Sequence, residues 1–303
     1  MLRRLPLPNP WLSATALMWG FNFVALKLLY LQFKSPAALA IVRFVPMYLL
    51  LVAICRWRGE SLKYSKETLP VLWQGFVAMG VYMLLFLEGM ARTSAAEGAI
   101  ILATAPVFSA IFSVIAKQEP FTPGAILGAL IAFAGAAVVI FSGAHDGQSS
   151  LKGNLLLLGS AITWAYGAIL SKPLVNKYSP IQSLTLSMPA GLLLLVPYGG
   201  LDLIKVPWSS LSTQTWLMLL HVTVGAGIIG FVGFYEGVKK IGPAPAMLYQ
   251  YFVPVIAATS AYFVLHQALN VHLSLGLVIV IFGVALASRA RYMAAQRLKL
   301  ATS

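Results

Sequence analysis

Residues 16–27 read ALMWGFNFVALK, and residues 161–172 read AITWAYGAILSK. Ala16, Trp19 and Lys27 answer to Ala161, Trp164 and Lys172, each 145 residues on. The correspondence continues in order on both sides of these stretches. Ser35-Pro36 returns 144 residues later as Ser179-Pro180. Glu88-Gly89 returns as Glu236-Gly237, Pro106-Val107 as Pro254-Val255, Gly128 as Gly276 and Gly135 as Gly283, each 148 residues on. An ordered series over both halves is an internal duplication, and it divides the chain into a first copy at 1–146 and a second at 147–303.

The copies are built for a bilayer. Hydrophobic residues make up 59% of the chain and charged residues 10%, and the mean hydropathy is +0.85. A soluble domain carries roughly 25% charge. A membrane-crossing helix needs about 20 apolar residues, and ten windows qualify: 11–31, 36–56, 69–90, 95–116, 122–142, 153–172, 180–198, 213–236, 243–265 and 271–289. The expected fold is therefore all-α and integral to the membrane, with five helices per copy. Five is odd, so the second copy starts from the opposite side and the repeats are inverted. Inverted repeats in an apolar chain mark secondary transporters, whose substrate site lies between them.

The net charge of +13 reads as topology rather than as nucleic-acid binding. With the N-terminus inside, the inner segments hold Arg3, Arg4, Arg56, Arg58, Lys63, Lys66, Lys117, Lys172, Lys177, Lys239, Lys240, Arg289, Arg291, Arg297 and Lys299; the outer loops hold Lys34, Arg92, Lys152 and Lys205. That bias puts both termini in the cytoplasm, and the run from Arg289 to Lys299 meets anionic headgroups. Met1 to Arg4 before an apolar stretch resembles a signal peptide, but no small-x-small cleavage site follows. Residues 11–31 read as a retained helix.

Chemistry-bearing motifs are sparse. The single cysteine, Cys55, allows neither an intramolecular disulfide nor a thiolate metal cluster. Gly225-Ala226-Gly227-Ile228-Ile229-Gly230 matches a dinucleotide fingerprint in form but lies inside an apolar span, where close helix packing explains it better. The stretch Gly124 to Gly128, with Gly135 beyond it, reads the same way, as contacts among the fourth, fifth, ninth and tenth helices or a dimer interface. No nucleophile elbow, P-loop or zinc-protease pattern appears, and the aspartates, Asp146 and Asp202, fall in outer loops. No enzymatic activity, cofactor or metal is expected.

Polar groups within spans are costly and become functional candidates. The first helix offers Thr15, Trp19 and Asn22 on one face. The third offers Gln74 and Tyr82, the sixth Ser160, Thr163, Trp164 and Tyr166, and the ninth Tyr249, Gln250 and Tyr251. Trp19, Asn22, Tyr82, Trp164, Tyr166, Tyr249 and Gln250 make an aromatic box with amide and hydroxyl groups, suited to an organic solute with a ring. The competing account is that the tryptophans are packing residues. Glu88 and Glu236 sit at matched points near span ends, as coupling carboxylates or as partners of Arg92 and Lys239. Glu97 also lies near a span end. Arg43, inside the second span, needs a carbonyl or carboxylate partner, and Lys27 can snorkel. Pro46, Pro106, Pro189 and Pro254 mark bends, with Pro106 and Pro254 repeat-matched and so candidates for gating.

With these features in place, the chain resembles the drug/metabolite transporter superfamily, EamA-type branch. The resemblance rests on the duplicated ten-helix plan, on Ala16-x-x-Trp19-Gly20, and on the stretch from Ala105-Pro106-Val107 to Glu119. The second copy departs from it, with Ala165 for Gly20 and Gln267 for Glu119, which weakens any role needing two symmetric acids. The aromatic interior is most similar to the YddG-like aromatic amino-acid exporter group. The resemblance implies an inner-membrane exporter of amino acids or similar small metabolites, working by alternating access as a monomer or homodimer. A multidrug or organic-cation exporter is the alternative, and a lipid-modifying enzyme or flippase subunit is the alternative of another class.

Overall fold

A computed structural model describes residues 9–116, 122–143, 149–241, 246–247, 249–268 and 270–301. Arg3, Arg4, Lys117, Glu119, His145 and Asp146 lie outside them, as does the expected junction between the copies. The described chain is helical throughout and has no strand. Nine helical segments are long and apolar enough to cross a membrane: Pro10–Tyr30, Pro36–Trp57, Lys66–Ala91, Ala95–Phe112, Pro123–Phe141, Leu151–Lys177, Pro180–Lys205, Thr213–Ile241 and Val271–Ala294. The tenth, Tyr249–Leu265, is shorter among the described residues. In chain order it is the ninth span, and Val271–Ala294 is the tenth.

Local chemistry sets where the spans begin. The side-chain oxygens of Asn9, Ser35, Ser94, Ser150, Ser179 and Ser212 each accept a backbone N–H in the following first turn. Pro10, Pro36 and Pro180 stand just inside, where a missing N–H costs nothing. The repeated Ser-Pro pairs are thus the start signals of the second helix in each copy.

Two kinds of irregularity recur at matched places. The third and eighth spans widen into π-helix at Phe76–Val81 and at His221–Ile229. The fourth span breaks after Leu102 and resumes at Ala105, with Pro106 in the first turn of the second half. The ninth changes from a 3-10 turn, Tyr249–Tyr251, to α-helix at Phe252, with Pro254 again in the first turn. The matched prolines are therefore not mid-helix kinks. They start the second half of an interrupted span, where the proline ring is tolerated.

Glycines set the tightest crossings. The fifth and tenth spans meet through Gly128, Gly135, Gly276 and Gly283, where an added Cβ would run into opposing backbone or, at Gly276, into the Val139 side chain. The glycine-rich stretch of the eighth span faces the first span: Gly230, Gly233 and Gly237 lie against Trp19, Thr15 and Leu12. It is a packing stripe and no part of a dinucleotide fold.

Candidate functional site: an aromatic cavity between the halves

The first and sixth spans cross so that Trp19 and Trp164 touch edge to face, ring centroids 5.4 Å apart and planes at 85°. Phe231 lies 5.4 Å from Trp19 and 5.8 Å from Trp164. Tyr82 lies 5.2 Å from Trp164 and stacks on Phe86 at 5.7 Å. These rings wall a narrow cavity of about 40 Å³. Asn22, Phe23, Arg43, Met83 and Gln250 line it with them, and Ala99, Leu102, Ala103 and Val253 complete the wall beside the two span interruptions.

The interruptions and π-helical stretches bear on the cavity. Trp19 donates its indole N–H to the Ala226 carbonyl at 3.0 Å. Ala226 lies in the π-helical part of the eighth span, where backbone geometry departs from the regular ladder. Trp164 donates to the Gln250 side-chain carbonyl at 3.4 Å. Both indole rings are thereby oriented, and both line the cavity.

Five of the residues selected from sequence meet here: Trp19, Asn22, Tyr82, Trp164 and Gln250. Two do not. Tyr166 is 37% exposed and packs on Phe112 at 5.7 Å. It stands two residues from Trp164, about 200° around the helix, so the two rings cannot share a face. Tyr249 lines a smaller adjoining recess with Leu12, Thr15, Ala16 and Phe234, and its hydroxyl accepts the Asn9 backbone N–H at 2.8 Å. The other polar groups of these spans serve the scaffold. Thr15 donates to Gly230 O at 3.1 Å. Gln74 donates to the Tyr235 hydroxyl at 2.7 Å. Ser160 and Thr163 bond carbonyls of their own helix.

The carboxylates lie away from the cavity wall. Glu88 accepts from Arg92 and from the Tyr198 hydroxyl. Glu236 makes no ion pair with Lys239 among the described residues, against the expectation that a base would hold it. Glu97 is buried at the fourth span's first turn, within 3.5 Å of the Asn154 amide. No group of His, Cys, Asp and Glu among the described residues could hold a metal ion.

Arg43 overturns its expectation most clearly. It is 1% exposed, yet Nε and Nη1 are buried without a hydrogen-bond partner, as are Asn22 Oδ1 and Gln250 Nε2. The guanidinium rests over the Phe44 ring at 4.9 Å. An arginine in mid-span was the available signal, and only the packing shows that the residue lines the cavity. Phe86 and Phe231 carried no signal, being two of many apolar residues in apolar spans.

Three kinds of likeness accompany this geometry. A model of the EamA-like transporter family matches twice, at residues 8–141 and 151–289. An uncharacterized transporter of Archaeoglobus fulgidus is 26% identical over 92% of this chain and 98% of its own length. A probable terminal-alkyne amino-acid exporter of Streptantibioticus cattleyicolor is 25% identical over 83% of each chain. One solved crystal structure superposes with a TM-score of 0.67 at 18% identity, over 94% of this chain and 98% of the other. This last supports the fold alone.

Proposed function

This chain belongs to the EamA-like transporter family, and from that premise we propose that it exports amino acids, aromatic ones among them, or similar small metabolites. The observation that carries the reading is the ring-walled cavity where Trp19 and Trp164 meet between the two family repeats. A mostly apolar pocket with a few convergent polar groups suits a small solute with a ring. The similarity to an amino-acid exporter supports the substrate class.

The copies, taken as 1–146 and 147–303, rock about this cavity and expose it to each side in turn. The matched breaks before Pro106 and Pro254 supply flexible points beside it. Export would run across a bacterial inner membrane with both termini in the cytoplasm, a reading supported by the excess of basic residues in the segments taken as inner. Glu88 and Glu236, near opposite mouths, leave transport facilitated or weakly coupled to protons.

The test is flux of a labelled amino-acid panel in proteoliposomes, with and without a pH gradient. The reading expects at least one aromatic amino acid to move faster than through empty liposomes. A panel that stays at the protein-free leak rate overturns it. Reporter fusions should place Lys34 and Asp202 outside, and Lys63 and Lys177 inside.

A further inference from the structure

We infer that the cavity takes its substrate by a carboxylate seated on Arg43, so that it selects ring-bearing monoanionic or zwitterionic acids over the corresponding amines. This rests on the exporter reading and narrows it to one chemical feature of the substrate.

A guanidinium never loses its charge at physiological pH. Taking such a charge out of water is strongly unfavourable unless it is paired. Arg43 is almost wholly buried, and two of its nitrogens have no partner. The ion pairs of the described residues join other groups, with Glu60, Glu67, Glu88 and Asp202 each engaged elsewhere. The guanidinium rests over the Phe44 ring, which satisfies no N–H. The side chain lines the cavity with Nε and Nη1 closed off in this state, so a ligand meets them as the cavity opens.

The fork of N–H groups matches a carboxylate with two parallel bonds. A phosphate would fit the fork too, but no second basic side chain lines the cavity to balance a dianion. An organic cation is disfavoured, because the wall presents a positive charge and no carboxylate. The unpartnered Asn22 Oδ1 and Gln250 Nε2 give an acceptor and a donor on the same wall. A zwitterionic head fills the first with its ammonium, while the tryptophans, Tyr82 and Phe231 hold the ring.

The experiment uses the intact purified chain in proteoliposomes. Uptake of labelled phenylalanine, 3-phenylpropionate, phenethylamine and phenyl phosphate is measured for wild type, Arg43→Gln and Arg43→Lys. In wild type, the two carboxylates should be carried and the amine and phosphate left near leak. Arg43→Gln should weaken apparent affinity for the carboxylates about 10- to 100-fold, the scale of losing hydrogen bonds to a charged group. Arg43→Lys should recover part of the loss. The wild-type comparison needs no variant and holds whether or not Arg43→Gln folds. Equal transport of phenethylamine and phenylalanine, or preference for phenyl phosphate, overturns the inference while leaving an exporter. So does unchanged carboxylate affinity in Arg43→Gln. Leak rates for all four compounds and for the amino-acid panel overturn the exporter reading itself.

Discussion

The two halves of the cavity are alike in their walls and unlike in their polar groups. Trp19 matches Trp164 at the 145-residue offset, and Met83 and Phe86 match Phe231 and Phe234 at 148. The polar positions have no such partners. At the local offsets Arg43 matches Ser187, Asn22 matches Gly167, Tyr82 matches Gly230 and Gln250 matches Leu102. Ser187 spends its hydroxyl on Leu184 O at 2.8 Å. Gly167 and Gly230 let Ala78 and Trp19 come close. Where one copy places a polar group at the cavity, the other places a residue used for packing or, at Leu102, an apolar part of the wall. A substrate with distinct ends needs an asymmetric set of contacts, while rocking between two faces of a membrane needs a symmetric frame. For an exporter of the proposed kind, a duplicated frame with differing polar positions would supply both.

The mouths show the symmetry of the frame. Ser35 donates to Asp202 at 2.6 Å, tying the start of the second span to the end of the seventh. Ser179, its repeat mate, donates to Glu60 at 2.8 Å and ties the start of the seventh span to the connection just after the second. One link lies at each side of the proposed membrane.

The comparison breaks most readily at the matched tryptophans. Trp19→Ala and Trp164→Ala should each remove about 1–3 kcal/mol of ring contact. Initial transport rates should fall roughly 10- to 100-fold in both, with membrane levels of the protein retained. Full activity in either one would show that its ring is packing and no part of a substrate site.

The asymmetric positions should respond unequally. Gln250→Leu makes the ninth span resemble its mate at Leu102 and strands the Trp164 N–H, at a cost of about 1–3 kcal/mol for an unmet buried donor. Leu102→Ala, on the symmetric apolar side, should cost less transport than Gln250→Leu. Competition between labelled and unlabelled substrate reads both, and the reverse order contradicts the division of labour.

At the mouths, Asp202→Asn and Glu60→Gln should bias the protein in opposite directions. The first loosens the outer link and favours outward opening; the second loosens the inner link and favours inward opening. A reporter Ala103→Cys on the cavity wall, in a Cys55→Ser background, would show it by reaction with an impermeant thiol reagent from each side. Shifts of the same sign would mean that the links are not gates.

The smallest change is expected at the carboxylates near span ends. Glu88→Gln loses a partly exposed ion pair with Arg92, worth at most about 1 kcal/mol, and Glu236→Gln loses none seen among the described residues. Both should keep transport driven by the substrate gradient alone. If a proton gradient drives uphill movement in wild type and either substitution abolishes it, the carboxylate is a coupling group.

The sequence by itself determined the helical class, the duplication and, by the odd helix count, the inversion. These follow from run length and repetition, which need no neighbours to be read. It also exposed Trp19 and Trp164, because matched tryptophans stand out. It could not say which way a side chain faces. In a soluble protein the apolar stripe marks the inside, but lipid is as apolar as a core, so a span's inner and outer faces carry the same composition. For that reason Tyr166 looked equivalent to Trp164, although it lies on the opposite face. Tyr249 looked like a substrate group and instead meets the Asn9 amide. The tertiary structure decided which rings converge, and where the spans break relative to Pro106 and Pro254. It also left Arg43 buried beside a cavity without a carboxylate, because a charge's partners are set by every helix around it and none of those is adjacent in the chain.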